Sequence, residues 1–167
     1  MKRGNTDLNF LIAINKSTGM TSHDVINRIR TITGEGRVGH MGTLDPLASG
    51  VMLIGVGSAA RLNNYLEEAD KTYLVTAEFG ASTNTYDAEG EATERSDFPS
   101  EIMTEEFASN YLAKLVGTHK QTPPAYSAIK VDGKPAYKSA RKGDEVELPE
   151  REIEIFETDL REVSKDS

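Results

Sequence analysis

A polar turn that runs directly into an apolar segment is the feature of this sequence that most constrains its fold. The turn reads GRVGHMGTLDPLAS over residues 36–49, and the segment VMLIGV over residues 51–56 is predicted to be a short apolar strand. His40, Thr43 and Asp45 cannot belong to that strand, so we expect them on a loop at its N-terminal end. Because side chains on such a loop are held by a rigid element yet stay reachable, this loop is the first candidate for a functional site.

Further strand and helix patterns flank this loop. Residues 10–14 predict a short buried strand, and Ser22 is the predicted N-cap of a helix that ends at Gly34. After the apolar segment, Ser58 is predicted to cap a second helix. Residues 71–79 then alternate between apolar and polar side chains, which predicts a half-buried strand.

The second half of the sequence continues with the same kinds of element. Residues 80–100 are polar and rich in turn formers, which predicts an extended loop or a pair of turns. Thr104 is the predicted N-cap of a third helix that Gly117 ends, and residues 151–160 predict a final strand. The length favours a single domain over residues 1–167.

Composition excludes several classes of protein. The chain has no cysteine, which excludes disulfides, cysteine zinc sites and thiol nucleophiles and is compatible with a reducing cytoplasm. It has no apolar stretch of about 18 residues and no signal-peptide pattern at its start, so neither a membrane span nor secretion is predicted. We therefore expect a cytoplasmic protein without a membrane partner.

The charge is distributed unevenly along the chain. The formal net charge of −8 by itself disfavours a nucleic-acid partner. However, residues 1–60 carry +2, 61–110 carry −9, 111–143 carry +6 and 144–167 carry −7. The first and third of these segments attract an anionic ligand such as a phosphate backbone. A solvated lysine-rich surface explains the third segment equally well, and both interpretations stay open.

Three kinds of chemistry compete for the polar turn. A phosphate-binding P-loop is disfavoured because no lysine occurs between residues 17 and 70. No metal is predicted, because the spacing of His40 and Asp45 does not bring two ligands together on a helix and the other two histidines lack a ligand spacing. Pro46 supplies no N–H to tie the carboxylate down, so Asp45 is free to be a nucleophile or a base. An ordinary Asp-Pro turn is the alternative.

Four stretches of the chain, in order, resemble the motifs of one RNA-modifying family. They are AINKSTGMTSHDVINRIR, GHMGTLDPLASGVMLIGVGSAARL, KTYLVTAEFGASTNTYDAEGE and QTPPAYSAIKVDGKPAYKSARKGDEVELPEREIEI. Over about residues 10–160 the chain resembles the bacterial tRNA pseudouridine synthase B (TruB) family. The resemblance implies an α+β fold with a mixed, largely antiparallel sheet and flanking helices. It also implies isomerisation of a T-loop uridine of tRNA, uridine 55, to pseudouridine.

The resemblance implies roles for four side chains. Asp45 matches the family's nucleophile, which acts at the ribose C1′ while the uracil detaches, turns and reattaches through carbon, with no cofactor. His40 matches a histidine that fills the space left by the flipped uridine, and Tyr73 matches an aromatic residue that stacks on the target base and assists a late proton transfer. Asp87 matches an acidic helper of the site. By residue type alone, Tyr73 is a core residue and His40 and Asp87 are turn residues.

The resemblance also gives the basic segment a role. In the family an insertion, here at about residues 121–149, grips the T-arm of tRNA. Its cations suit phosphates and its tyrosines suit unstacked bases. The predicted RNA contacts are Lys16, Lys120, Tyr126, Lys130, Lys134, Tyr137, Lys138, Arg141 and Lys142. The predicted partner is therefore tRNA, and no protein partner is implied.

The chain departs from the family at its C-terminal side. Family members continue into a GTYIR-like strand, whose arginine pairs with the nucleophilic aspartate, and usually into a small RNA-binding domain; no match to that strand occurs here, and no arginine follows Arg161. Without that cation we expect Asp45 to be less well positioned and turnover by this chain alone to be small or absent. The leading hypothesis is the N-terminal catalytic part of a tRNA-modifying isomerase. The alternatives are a non-catalytic RNA-binding or tRNA-folding module and, more remotely, a hydrolase that uses Asp45 and His40.

Overall fold

The structure is a computed structural model of the chain. It describes residues 4, 6–66, 69–97, 99, 104–123, 130–131, 134–135 and 148–164. The chain divides into two compact units, Met1–Leu74 and Val75–Ser167, and the single domain expected from the length stays a prediction. Among the described residues, no helix has the length and apolar character needed to span a bilayer.

Short strands and helices alternate along the described residues. In chain order they are β1 (Phe10–Lys16), α1 (Ser22–Thr33), β2 (Val38–His40), β3 (Gly50–Val56), α2 (Asn63–Leu66), β4 (Ala81–Thr83), β5 (Ala92–Arg95), α3 (Glu105–Ala113), β6 (Gly117–Gln121), β7 (Lys130–Val131), β8 (Lys134–Pro135) and β9 (Arg151–Ile155), and a 3₁₀ helix spans Gly57–Leu62. The paired strands run antiparallel, in one three-stranded sheet and three two-stranded sheets. The α+β class is therefore confirmed, with the strands divided among several small sheets.

The first unit is built on the sheet with strand order β1-β3-β2. Alternate side chains of β3 are buried, at Met52, Ile54 and Val56, whereas Val51 is 71% exposed. The buried side chains form one cluster with those of α1, and each contributes about 1.5–3 kcal/mol to stability. The apolar strand predicted here is confirmed as β3. The strand predicted at the start of the chain is confirmed as β1, but it is not fully buried: Leu11 is 44% exposed, because successive side chains of a strand point to opposite faces.

Helix α1 has its N-cap at Thr21, so the prediction of Ser22 was wrong by one residue. The Asp24 N–H donates to Thr21 Oγ1 (3.1 Å), and the Thr21 N–H donates to the Asp24 carboxylate (2.9 Å), which completes a capping box. Ser22 is instead the first residue of the helix, and its hydroxyl bonds elsewhere. Gly34 adopts the left-handed conformation, with φ of 70°, and ends the helix as predicted.

Residues 71–79 do not form the predicted strand. The segment has no regular secondary structure, and its apolar side chains are open to solvent, with Leu74 89% and Val75 74% exposed. An alternating pattern becomes a strand only where a neighbouring strand supplies hydrogen bonds and a core covers one face. No strand among the described residues pairs with this segment. The helix predicted after Ser58 is shorter than expected, since the 3₁₀ helix occupies most of it before α2.

The described residues of the second unit contain three antiparallel strand pairs, β4-β5, β6-β9 and β7-β8, and the helix α3. Strands β4 and β5 pair around residues 84–91, within the region predicted as a loop or turns. Thr104 caps α3 by accepting a hydrogen bond from the Phe107 N–H (3.1 Å), which confirms that prediction. The helix ends at Ala113 rather than at Gly117, where β6 begins. The final predicted strand is confirmed as β9, which pairs with β6.

Candidate functional site

Asp45 lies on the loop between β2 and β3, where it opens a tight turn. The Ala48 N–H donates to the Asp45 carbonyl oxygen (3.1 Å), and Pro46 fills the second position, for which its fixed φ is suited. The loop predicted for Asp45 is confirmed. His40 was predicted on the same loop but lies at the end of β2, opposite Ile54, because β3 offers a hydrogen-bonding edge that the glycine-rich local sequence does not reveal.

The residue before Asp45 is held from three sides. The Ser22 hydroxyl donates to the Leu44 carbonyl oxygen (2.8 Å), and the Leu44 N–H donates to Ser22 Oγ (2.9 Å). The Leu44 side chain packs against the core cluster of the first unit. Ser22 is only 5% exposed, so these two bonds are shielded from water. A hydrogen bond in such a buried environment stabilises the fold more than one at the surface.

The residue after Asp45 is held as well. The Pro46 carbonyl oxygen accepts a hydrogen bond from the Gly19 N–H (2.8 Å) and lies 3.5 Å from Lys16 Nζ. Lys16 Nζ also donates to the carbonyl oxygens of Ser17 (3.1 Å) and Met20 (2.8 Å). Lys16 is 1% exposed, so its ammonium lies among main-chain oxygens rather than at the surface. This gives Lys16 a structural role, and its contact with RNA stays a prediction.

The carboxylate of Asp45 itself is exposed. Within the described part of the chain, it accepts no hydrogen bond and forms no ion pair. The backbone on both sides of Asp45 is thus fixed by other groups, and the acidic side chain is left available for a ligand. That is the arrangement a nucleophile or a general base requires.

His40 brings a nitrogen with an unfilled hydrogen-bonding capacity to the same stretch of chain. The residue is half-buried, and its Nδ1 atom is buried with no partner among the described residues. A buried polar atom without a partner costs about 1–3 kcal/mol and is uncommon. A bound ligand is one way in which such an atom obtains its partner.

Tyr73 and Asp87 belong to different units of the chain. Tyr73 is 64% exposed near the end of the first unit, so it is not a core residue. Asp87 lies in the second unit, in the loop between β4 and β5. Its Oδ1 accepts hydrogen bonds from Thr85 Oγ1 (2.7 Å) and from the Glu89 N–H (3.0 Å), as expected of a turn residue. The helper role of Asp87 stays a prediction.

Few of the predicted RNA contacts fall within the described residues. Lys120 is exposed on β6, with its Nζ 3.8 Å from the Glu150 carboxylate, and it lies opposite Glu152 of β9. Lys130 and Lys134 belong to the paired strands β7 and β8. The remaining predicted contacts lie outside the described residues: Tyr126, Tyr137, Lys138, Arg141 and Lys142.

A buried carboxylate anchors the chain just before β2. Glu35 is fully buried and accepts hydrogen bonds from the Thr6 N–H (2.7 Å) and from the N–H (2.9 Å) and Nε (3.1 Å) of Arg37. These donors, the Arg37 side chain first, hold the pKa of Glu35 well below its usual range. The same pair raises the pKa of Arg37. The ion pair therefore fixes the chain at Arg37, immediately before β2 and three residues before His40.

Other surfaces of the described chain are less suited to an RNA ligand. A cavity of about 550 Å³ lies in the second unit between α3 and residues 158–162, but Glu105, Asp159 and Glu162 line it, and these carboxylates repel phosphate. Among the described residues, no group of three or more acidic and histidine side chains is arranged to hold a metal ion.

Sequence reasoning missed the role of Ser22. It assigned the hydroxyl to the helix cap, whereas the cap belongs to Thr21 and the hydroxyl bonds Leu44. The capping pair of Thr21 with Asp24, three residues later, was a signal that could have freed Ser22 for another partner.

Comparison with known families shows to which family the chain belongs. Residues 30–167 match the family described as TruB family pseudouridylate synthase (N terminal domain). The chain belongs to the TruB family. The match covers residues 30–74 of the first unit, which include the loop of Asp45, and the whole second unit, and it confirms the family that the four motifs indicated.

TruB relatives at 40–46% identity support this assignment. The tRNA pseudouridine synthase B of Francisella philomiragia subsp. philomiragia is 40% identical over 168 residues, which span 100% of this chain and 55% of the relative. Those of Thermobifida fusca and Streptococcus pyogenes serotype M5 are 46% and 44% identical, over 88% and 89% of this chain and 50% of each relative. The chain therefore spans about half the length of the curated relatives it matches.

The fold is shared with a solved structure. A chain in the crystal structure of a Cbf5-Nop10-Gar1 complex superposes with a TM-score of 0.53 at 23% identity, covering 92% of this chain and 37% of that one. At this identity the likeness shows the fold alone, and it agrees with the α+β class assigned above.

Proposed function

We propose that this chain carries the N-terminal part of the catalytic machinery of a tRNA pseudouridine synthase and acts on uridine 55 of the T-loop. TruB family membership supports this reaction. The observation that carries it is the exposed carboxylate of Asp45, which accepts no hydrogen bond within the described residues and lies on a loop whose backbone is fixed on both sides. Such a side chain is available to a ligand, because the fold does not use it to hold the loop.

In the proposed reaction Asp45 is the nucleophile. The Asp45 carboxylate bonds to the ribose C1′ as the bond from C1′ to uracil N1 breaks, and the uracil turns. A bond then forms between C5 and C1′ as the bond to the carboxylate breaks, while the proton on C5 leaves and N1 gains one. The product is an isomer of the substrate, so the reaction consumes no electrons and no second substrate. His40 lies on the chain five residues before Asp45, and we assign it to the space that the flipped uridine leaves, where its free Nδ1 meets a partner.

The first experiment is product formation on a T-arm stem-loop RNA. The 167-residue chain is incubated with the RNA, and pseudouridine is measured by mass spectrometry after chemical derivatisation. An RNA with cytidine in place of the target uridine is the substrate control. Asp45→Asn is expected to abolish the product while the dissociation constant for the RNA stays within about twofold.

A second variant controls for the loss of charge. Asp7 is exposed, lies in the same unit and has no assigned role, so Asp7→Asn is expected to form product at the wild-type rate. Equal rates for wild type and Asp45→Asn would contradict the proposed nucleophile. RNA binding by the wild type without any product agrees both with the small turnover expected of this chain alone and with the alternative of a non-catalytic RNA-binding module.

A further inference from the structure

The hydroxyl of Ser22 bonds a residue outside the helix to which Ser22 belongs. A serine at a helix N-terminus usually bonds the free N–H groups of its own first turn. Here Thr21 and Asp24 already supply that capping. Ser22 Oγ instead crosses to another part of the first unit and bonds Leu44, 22 residues away in sequence.

The two bonds act on two successive peptide groups. The N–H of Leu44 belongs to the peptide group shared with Thr43, and the C=O of Leu44 belongs to the peptide group shared with Asp45. Since each peptide group is planar, fixing both of them fixes the rotation of the chain at Leu44. The orientation in which the chain enters Asp45 is therefore set by one side-chain oxygen.

Leu44 lies outside the described strands and helices, and its side chain packs against the core cluster. Within the described part of the chain, the two bonds to Ser22 are the hydrogen bonds that the N–H and C=O of Leu44 make. We propose that Ser22 is a positioning residue for Asp45: its hydroxyl sets the direction in which the carboxylate is presented to the ribose. This inference rests on the proposed function, in which Asp45 is the reacting group.

The expected effect falls on the chemical step. A displacement of about 1 Å at a reacting group can lower a rate by about 100-fold. Ser22→Ala removes both bonds and leaves the N–H and C=O of Leu44 without their partner. We expect kcat on the T-arm RNA to fall about 10- to 100-fold, with KM and the dissociation constant for the RNA changed less than about twofold.

Two further variants separate positioning from simple destabilisation. Thr21→Ala removes the cap of the same helix, an exposed contact that does not touch Leu44, and costs about 1 kcal/mol of stability. It is expected to lower the melting temperature while leaving kcat unchanged. Ser22→Thr keeps a hydroxyl at the same position and is expected to restore most of the rate lost in Ser22→Ala.

A second readout does not depend on turnover. Amide hydrogen exchange by NMR on the 167-residue chain reports the Leu44 N–H directly. In Ser22→Ala we expect this amide to exchange at least about tenfold faster, with increased backbone mobility over residues 43–46. In Thr21→Ala the increase is expected in the first turn of α1, and residues 43–46 are expected to keep the wild-type values.

The outcomes distinguish this inference from the proposed function. A wild-type chain that neither binds the T-arm RNA nor forms pseudouridine contradicts the proposed function; where turnover is too small to give kcat, as expected of this chain alone, the exchange data decide on Ser22 by themselves. Unchanged exchange at Leu44 in Ser22→Ala overturns the inference, and so does an equal loss of kcat in Thr21→Ala. If Ser22→Ala does not fold, Ser22→Cys is measured in its place. It keeps the volume with a weaker hydrogen-bonding group, and it is expected to lie between wild type and the loss predicted for Ser22→Ala; wild-type values in that variant overturn the inference.

Discussion

Two aspartates on two loops show how a fold separates a side chain that holds structure from one that is free to react. The loop of Asp87, in the second unit, is held by Asp87 itself, because its Oδ1 accepts the hydroxyl of Thr85 and the N–H of Glu89. The loop of Asp45, in the first unit, is held by Ser22 and Lys16, which bond the main chain on either side of it.

The difference lies in where the holding groups come from. A loop that closes on its own carboxylate needs no support from elsewhere, but that oxygen is then occupied. A loop that is held by side chains from β1 and α1 costs the fold two buried polar residues, and each must be fully hydrogen-bonded to be tolerated. The result is an exposed carboxylate on a fixed backbone. The following predictions test whether that carboxylate is available to a ligand.

The largest expected effect is on the reaction. Asp45→Asn should abolish whatever pseudouridine the wild-type chain forms, since it removes the proposed nucleophile, and should leave the melting temperature within about 2 °C, since the carboxylate accepts no hydrogen bond among the described residues. Single-turnover rates and thermal unfolding measure the two. The contrast between the two aspartates is contradicted if the melting temperature of Asp45→Asn falls sharply, or if Asp87→Asn abolishes the product while Asp45→Asn does not.

Stability should show the next largest effect, at the buried lysine that supports the Asp45 loop. Lys16→Met leaves three carbonyl oxygens without their shared donor and should lower the free energy of unfolding by about 2–3 kcal/mol. Urea unfolding measures it.

Lys120→Met is the matched control for this loss. Lys120 is a surface lysine whose carboxylate partner is 3.8 Å away, and such pairs contribute little, so a change below about 0.5 kcal/mol is expected. Equal losses in the two variants would contradict a supporting role for Lys16.

A smaller and local effect is expected at Asp87. Asp87→Ala removes the acceptor of two hydrogen bonds and should lower the local stability of the loop between β4 and β5 by about 1–2 kcal/mol. Amide exchange at Glu89 measures it. Asp97→Ala, an exposed acidic residue just beyond β5, is the control and should leave that amide unchanged, while protection of Glu89 that survives in Asp87→Ala would show that the carboxylate is not what holds the loop.

The last and smallest expected effect is a dependence of stability on pH, and it concerns the third kind of carboxylate, the buried Glu35. Its pKa is lowered on folding by Arg37 and Thr6, so its contribution to stability is fully present above the ordinary value of 4.5 and is lost as the pH falls below it. Between pH 7 and 5 no change is expected from this group. Unfolding measured from pH 5 downward should lose stability in wild type and lose less in Glu35→Gln; identical slopes would contradict the role of Glu35.

Much of the first unit could be predicted because its signals are local. The apolar segment of β3 and the glycine that ends α1 depend on burial and on backbone freedom, which the residue types themselves express. The motif around Asp45 was sufficient to indicate the family, which the match over residues 30–167 confirms.

Other predictions failed where the deciding group lies far away in sequence. Residues 71–79 alternate as a strand should, yet an isolated strand has no stability of its own, and no described strand pairs with them. His40 was predicted on a loop, but it belongs to β2 and lies opposite Ile54 of β3. Ser22 looked like a cap because its partner, Leu44, is 22 residues away.

The sequence alone determined the chemistry that this protein can offer: no thiol, an aspartate before a proline, a histidine nearby and the motifs of a pseudouridine synthase family. Only the tertiary structure decided which of its polar groups are occupied. Folding brings backbone or ionic partners to Ser22, Lys16 and Glu35. The Asp45 carboxylate has no such partner among the described residues. The physical reason is that a hydrogen bond needs two groups within about 3 Å, and for side chains distant in sequence that proximity exists only after the chain has folded.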